Sequence, residues 1–92
     1  MAIVNFGTFS DAKEVALGAV DAPADITLSG ASQQSSPFGA TAVRVRIVGD
    51  AALRYRVGAD PDATDGFLLP ANVVEYVSLE SGRSWKLAVI QV

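Results

Sequence analysis

The stretch TAVRVRIV (41 to 48) alternates apolar and charged side chains with a period of two, and after GDAA the segment LRYRV (53 to 57) does the same. Only an extended strand sends successive side chains to opposite faces, so this pattern commits the middle of the chain to β structure with one face turned inward. Val43, Val45 and Ile47 share one face of the first segment, with Arg44 and Arg46 on the other. In the second, Leu53, Tyr55 and Val57 alternate with Arg54 and Arg56.

Two such segments side by side predict a hairpin with a defined register. Keeping the apolar sets on a common face places Ile47 opposite Leu53 and Val45 opposite Tyr55, which sets Arg46 against Arg54 and Arg44 against Arg56. Like charges directly opposite one another destabilise a sheet by a few tenths to about 1 kcal/mol per pair, so the four arginines are expected to be offset by something. Acids within the chain, Asp50, Glu75 or the loop after Val57, are one source. An acidic surface of another chain is the other, since guanidinium forks bind carboxylates bidentately while their stems cover apolar area. Arg44, Arg46, Arg54 and Arg56 are therefore the candidate partner interface.

The rest of the chain extends the same pattern. VVEYVSL (73 to 79) and SWKLAVIQV (84 to 92) are rich in β-branched and aromatic residues and are separated by ESGR, whose Gly82 suits a tight turn; they predict a second hairpin. IVNF (3 to 6) and DITLS (25 to 29) also read as strands. DAKEVALGAV (11 to 20) fits a capping box with a helical face and also a short strand around Glu14 to Leu17; Gly18 and the DAP that follows favour the strand. Residues 1 to 10 suit an N-terminal arm reaching over a neighbour. Residues 29 to 40, carrying SGASQQSSPFG, suit a flexible solvent-facing loop anchored at Phe38. With 92 residues there is chain for one domain (1 to 92), and six to eight short antiparallel strands make it an all-β sandwich or jelly-roll-like barrel.

Composition narrows the chemistry. The sequence holds no cysteine and no histidine, which removes disulfides, thiol nucleophiles, zinc sites of the usual kind and the commonest general base near neutral pH. Half the residues are apolar and only 18% charged, a balance that favours burial against partners. Seven basic and ten acidic residues give a net charge of −3, which disfavours a nucleic-acid partner. No apolar run approaches the roughly 20 residues of a membrane span, and MAIVNFGTFSDAKE lacks a basic flank, so the chain reads as made in the cytoplasm with no membrane partner.

GADPDATDG (58 to 66) is the one segment with a metal-loop look, because it carries Asp60, Asp62 and Asp65. Counted from Asp60, Thr64 falls fifth, Asp65 stands where a calcium loop needs glycine and Ala71 where it needs a bidentate glutamate. Asp-Pro and Asp-Gly pairs instead start and close turns. No metal, no cofactor and no catalytic residues are expected: the serines lack an activating base, and every carboxylate sits beside a turn or strand exit. Trp85, Tyr55, Tyr76 and Phe67 each lie in or beside a strand pattern, which places them in the core or at barrel ends.

From Arg44 onward the sequence VRVRIVGDAALRYRVGADPDATDGFLLPANVVEYVSLESGRSWKLAVIQV resembles small accessory proteins encoded among the structural genes of tailed bacteriophages. A VRV strand, a strand ending in a YRVG-like step, an ADPDAT-like loop, an LLPA segment and a last hairpin leading to AVI carry the resemblance. It implies a virion protein of the outer capsid surface, a cement or decoration protein that clamps neighbouring major capsid subunits, often as a homo-oligomer with a trimer favoured. The alternative is a head-fibre or tail-associated module contacting host surface glycans.

Overall fold

The computed structural model describes residues 2–9, 21–38, 43–80 and 84–92, which form eight strands. These are β1 (Ile3–Phe9), β2 (Asp21–Thr27), β3 (Gln33–Gln34), β4 (Arg44–Gly49), β5 (Leu53–Gly58), β6 (Phe67–Leu69), β7 (Glu75–Ser78) and β8 (Lys86–Gln91). They make two four-stranded antiparallel sheets, β2-β1-β4-β7 (sheet A) and β3-β8-β5-β6 (sheet B). The expected all-β sandwich is the observed architecture.

The pairing order is that of a rolled ribbon. β5 pairs with β6, β4 with β7 and β3 with β8, so strands β3 to β8 nest as one long hairpin whose tip is the β5–β6 connection. In an eight-stranded jelly roll the next pair would join β2 to a strand following β8. Here β1 takes that place from the other direction, antiparallel to β2 on one side and to β4 on the other. The fold is a jelly roll in circularly permuted order. Its two ends meet: the Leu28 amide donates to the Ala2 carbonyl, and the Gln91 amide to the carbonyl of Ser29, each at 2.8 Å.

Alternating residues of the inner strands fill the space between the sheets. Val4 and Phe6 of β1, Val45 and Ile47 of β4, Leu53 and Tyr55 of β5, and Leu87 and Val89 of β8 are all buried and belong to one core. Phe38 joins them, its ring 5.8 Å from that of Phe6.

Four expectations are corrected. Within the expected arm, Ile3–Phe9 is instead an inner strand of sheet A, held because Val4 and Phe6 are core residues. The segment from 29 to 38 is largely exposed, as expected, but it is not a loop free of the sheet. It runs along β8, with Gln33 and Gln34 paired to Val89 and Ala88 and the Phe38 amide donating to the Trp85 carbonyl at 2.7 Å. Neither predicted hairpin forms, since β4 and β5 lie in different sheets, as do β7 and β8. Inward residues on two consecutive strands can face each other across a core as well as lie side by side, and Gly49-Asp50-Ala51-Ala52 makes the arch between sheets. The Asp50 carboxylate accepts the Ile3 amide at 2.8 Å, fixing that arch to the start of β1. The expected strand at Glu14 to Leu17 and the turn at Gly82 lie outside the described residues.

Candidate docking surfaces

Because β4 and β5 belong to different sheets, the four arginines do not share a face. Arg44 and Arg46 stand half-buried on the outer surface of sheet A, while Arg54 and Arg56 are exposed on the outer surface of sheet B. The predicted opposition of Arg46 to Arg54 and of Arg44 to Arg56 does not arise. In the observed register Arg46 lies between Gly7 and Tyr76, and Arg54 between Ile90 and Leu68.

The two surfaces are finished differently. On sheet B the acidic loop folds back as a strap across β5 and β8 to β3. The Gln34 side-chain amide donates to Asp60 Oδ1 at 2.9 Å and to the Pro61 carbonyl at 2.8 Å, and the Ala63 amide donates to Ser32 Oγ at 3.0 Å. Arg56 donates to the Asp65 carbonyl at 2.8 Å and Arg54 to that of Gly66 at 3.2 Å, so the guanidinium groups brace the strap through its backbone. Pro61 and Ala63 are buried in it, and Ala88, outward-facing on β8 between Gln34 and Arg56, is wholly covered.

The three acids of GADPDATDG thus have distinct roles. Asp60 receives Gln34, Asp65 offers its carbonyl, and Asp62 Oδ1 accepts both the Thr64 amide (2.9 Å) and the Thr64 hydroxyl (2.7 Å). Those two bonds hold the Asp62 carboxyl below its ordinary pKa, with the positive charge of Arg56 a smaller contribution. Among the described residues no group of three His, Cys, Asp or Glu side chains is placed to hold a metal ion. Asp50 and Glu75, the other expected counter-acids, each accept a backbone amide, from Ile3 and Tyr76 respectively.

Sheet A presents an apolar surface beside its arginines. Ile3, Val48, Val74 and Tyr76 lie on the outward side of β1, β4 and the β7 edge, and Ile3, Val74 and Tyr76 are 39%, 41% and 49% exposed. Arg46 adjoins Tyr76 directly across the β4–β7 ladder. The outcome is a basic and apolar face built by three adjacent strands, β1, β4 and β7, which strand periodicity assembles only once the sheet order is known.

The aromatic residues divide. Tyr55 is buried, and burial, aided by the negative charge of Glu75, raises its phenol pKa. Trp85 is half-buried against the core with its indole N–H on the Glu80 carbonyl at 2.8 Å. Phe67, 68% exposed at the edge strand β6, and Tyr76 are surface residues, contrary to the expectation of core or barrel-end packing. Phe67 faces the core at the ring of Tyr55, whose centroid lies 5.8 Å from its own. Its exposure follows from β6 being short and outermost, a fact of sheet order that local sequence does not carry.

The chain matches no protein-family model, no curated protein and no solved structure.

Proposed function

We propose that this protein is a structural virion component rather than an enzyme: a decoration protein of a tailed bacteriophage that sits on the outer capsid surface and binds across neighbouring major capsid subunits. The observation that carries this reading is the outer face of sheet A, where Arg44 and Arg46 stand beside Ile3, Val48, Val74 and Tyr76. Such a face suits an apolar surface rimmed with carboxylates, because the guanidinium groups bind carboxylates while the aromatic and aliphatic groups lose water on docking. Copies associated with one another, a trimer favoured, would make several weak contacts act together on a symmetric shell. Jelly rolls recur in viral capsid proteins, which is support by analogy of fold alone.

Mass spectrometry of purified tailed-phage particles carrying the protein tests the reading by copy number. Hundreds of copies per particle, with loss of the protein on Arg44→Glu/Arg46→Glu substitution and retention on Arg54→Glu, support it. Absence from the particle, or retention of the double variant at full occupancy, sinks it. Jelly rolls also occur in lectins, and the exposed ring of Tyr76 beside Arg46 favours a second reading as a glycan-binding module. A glycan array with wild type and Tyr76→Ala separates the two.

A further inference from the structure

The outward residues of sheet A fall into rows across the strands, and the rows sort the charges by end. At one end Arg44 lies level with Ser78, and Arg46 with Gly7 and Tyr76. The next row holds Val48, Asn5 and Asp25, and beyond it Asp50 lies beside Ile3, its amide donating to the Ile3 carbonyl at 3.1 Å. Glu75 belongs to an inward row with Ile47, and Glu80 comes after β7 has ended, outside the paired rows. Among the described residues Arg44 and Arg46 have no hydrogen-bond or ion-pair partner, although both are half-buried. At the acidic end Ile3, Asn5, Val48, Asp50 and Asn72 line a hollow of about 260 Å³. That is below the roughly 300–1,000 Å³ of pockets that take whole small molecules, and leaves room for one large side chain. Its walls match an arginine: Ile3 and Val48 for the stem, the Asp50 carboxylate for the guanidinium, and the side chains of Asn5 and Asn72 as further acceptors. The Asn5 amide nitrogen is already spent on Asp25 at 2.8 Å, which leaves its oxygen.

We propose that in solution the occupant of this hollow is Arg44 of a second copy, the two chains packing sheet A on sheet A about a two-fold axis that runs across the strands. Such an axis lays each strand end for end over its own copy. On β4, Arg44 then faces Asp50 of the partner copy and Arg46 faces Val48; on β7, Tyr76 faces Val74. An isologous contact uses the same patch twice, so both arginine ends are satisfied at once. What selects a second copy is that the face fits itself. The complement of two unpartnered arginines beside apolar groups is an apolar surface with carboxylates at its far end, and Ile3, Val48, Asp25 and Asp50 are that surface. Four short strands make a small face, of the class below about 1,200 Å² that holds transient complexes, so the pair is expected to be weak and to yield to a larger partner. The inference rests on the reading of sheet A as a docking surface and adds what covers it away from the capsid. Copies side by side on a shell, with sheet A turned to the capsid, would use other surfaces.

Sedimentation equilibrium of the full chain at concentrations up to about 1 mM reads the association, and circular dichroism with thermal melting checks folding. The wild type is expected to show a monomer–dimer equilibrium and nothing larger, since a two-fold contact closes on itself. Arg44→Glu, which sets like charges together, is expected to weaken the dimer at least about tenfold, and so is Asp50→Lys. Mixed in equal amounts the two variants should pair again, because each introduced carboxylate meets an introduced ammonium and each remaining Arg44 a remaining Asp50. Asp50 also accepts the Ile3 amide. Asp50→Asn, which keeps that acceptor and removes only the charge, is therefore expected to weaken the dimer with the melting temperature unchanged. A wild type that stays monomeric overturns the inference, as does a dimer insensitive to Arg44→Glu and Asp50→Asn, a mixture of folded swap variants that fails to pair, or growth beyond a dimer. None of these measurements involves the particle, so capsid docking stands or falls on its own occupancy experiment.

Discussion

The Ser35 hydroxyl oxygen accepts the amide of Leu87 at 2.9 Å, while the Ser35 amide donates to the Leu87 carbonyl at 2.7 Å. At this point β3 has stopped pairing in the regular way, and a side-chain oxygen stands in for the backbone carbonyl that Leu87 would otherwise meet. Leu87 is fully buried, so its amide has no access to water if the hydroxyl is removed. Ser35→Ala is therefore expected to cost about 1–3 kcal/mol, the penalty of an unsatisfied buried donor. Urea unfolding measures it, with Gly30→Ala, where an added methyl meets nothing within 4 Å, as the silent comparison. A Ser35→Ala variant as stable as wild type would show that Leu87 finds another acceptor.

Gly66 closes the strap against the backbone of β5. A methyl group added there would run into the carbonyl of Tyr55, and that carbonyl belongs to an inner strand that cannot move aside. Gly66→Ala is expected to destabilise by about 1–3 kcal/mol, as overpacking does, and to loosen the strap. Amide hydrogen exchange locates the effect: protection at Ala63, whose amide is bound to Ser32, should fall more than at Leu87 in the core. Uniform loss of protection would mean that the strap and the core open together.

How far the sequence reaches is plain from the arginine segments. Alternation identified the inward residues of β4 and β5 correctly, and Val45, Ile47, Leu53 and Tyr55 are all buried. It did not identify their partners, because a side-by-side hairpin and an arch between two sheets satisfy the same parity. That one ambiguity moved Arg54 and Arg56 to the opposite surface. The strap was legible as turn chemistry in Asp60-Pro61 and Asp65-Gly66, but its burial of Ala63 depends on Ser32 and Gln34, about thirty positions earlier in the chain, and no local pattern links them. β6 was missed for a similar reason, since three residues ending at Pro70 are too few to show a period.

Tyr55 makes stability fall at alkaline pH. Burial raises its pKa in the folded protein above the ordinary value of about 10, and the charge of Glu75 adds to this. The folded state therefore holds its proton more tightly than the unfolded state. The resulting stabilisation is complete below about pH 10 and is lost as pH rises from the unfolded pKa through the folded one. The melting temperature of wild type should decline more steeply above pH 10 than that of Tyr55→Phe, with a difference in slope of at most about 1.4 kcal/mol per pH unit. Parallel declines would mean that other groups govern the alkaline limb.

The permuted strand order makes a prediction about connectivity. β1 occupies the place that a strand after β8 would take in an unpermuted jelly roll, and Ala2 and Gln91 are bonded to the adjacent residues Leu28 and Ser29. A linker of about four glycine and serine residues joining Val92 to Ala2 should therefore span the gap without strain. Opening the chain between Phe9 and Asp21 then yields a protein in which β2 precedes and β1 follows the other described strands, with every strand pair among the described residues intact. It is expected to reach the same fold with an unchanged denaturant m-value, because the surface buried on folding is the same. A second permutant with the same linker, opened between Asp62 and Ala63, cuts the strap where it is buried and should lose stability. Equal stability of the two would mean that the strap contributes nothing to the fold, and a first permutant with a reduced m-value would mean that β1 holds its place only when covalently joined to β2.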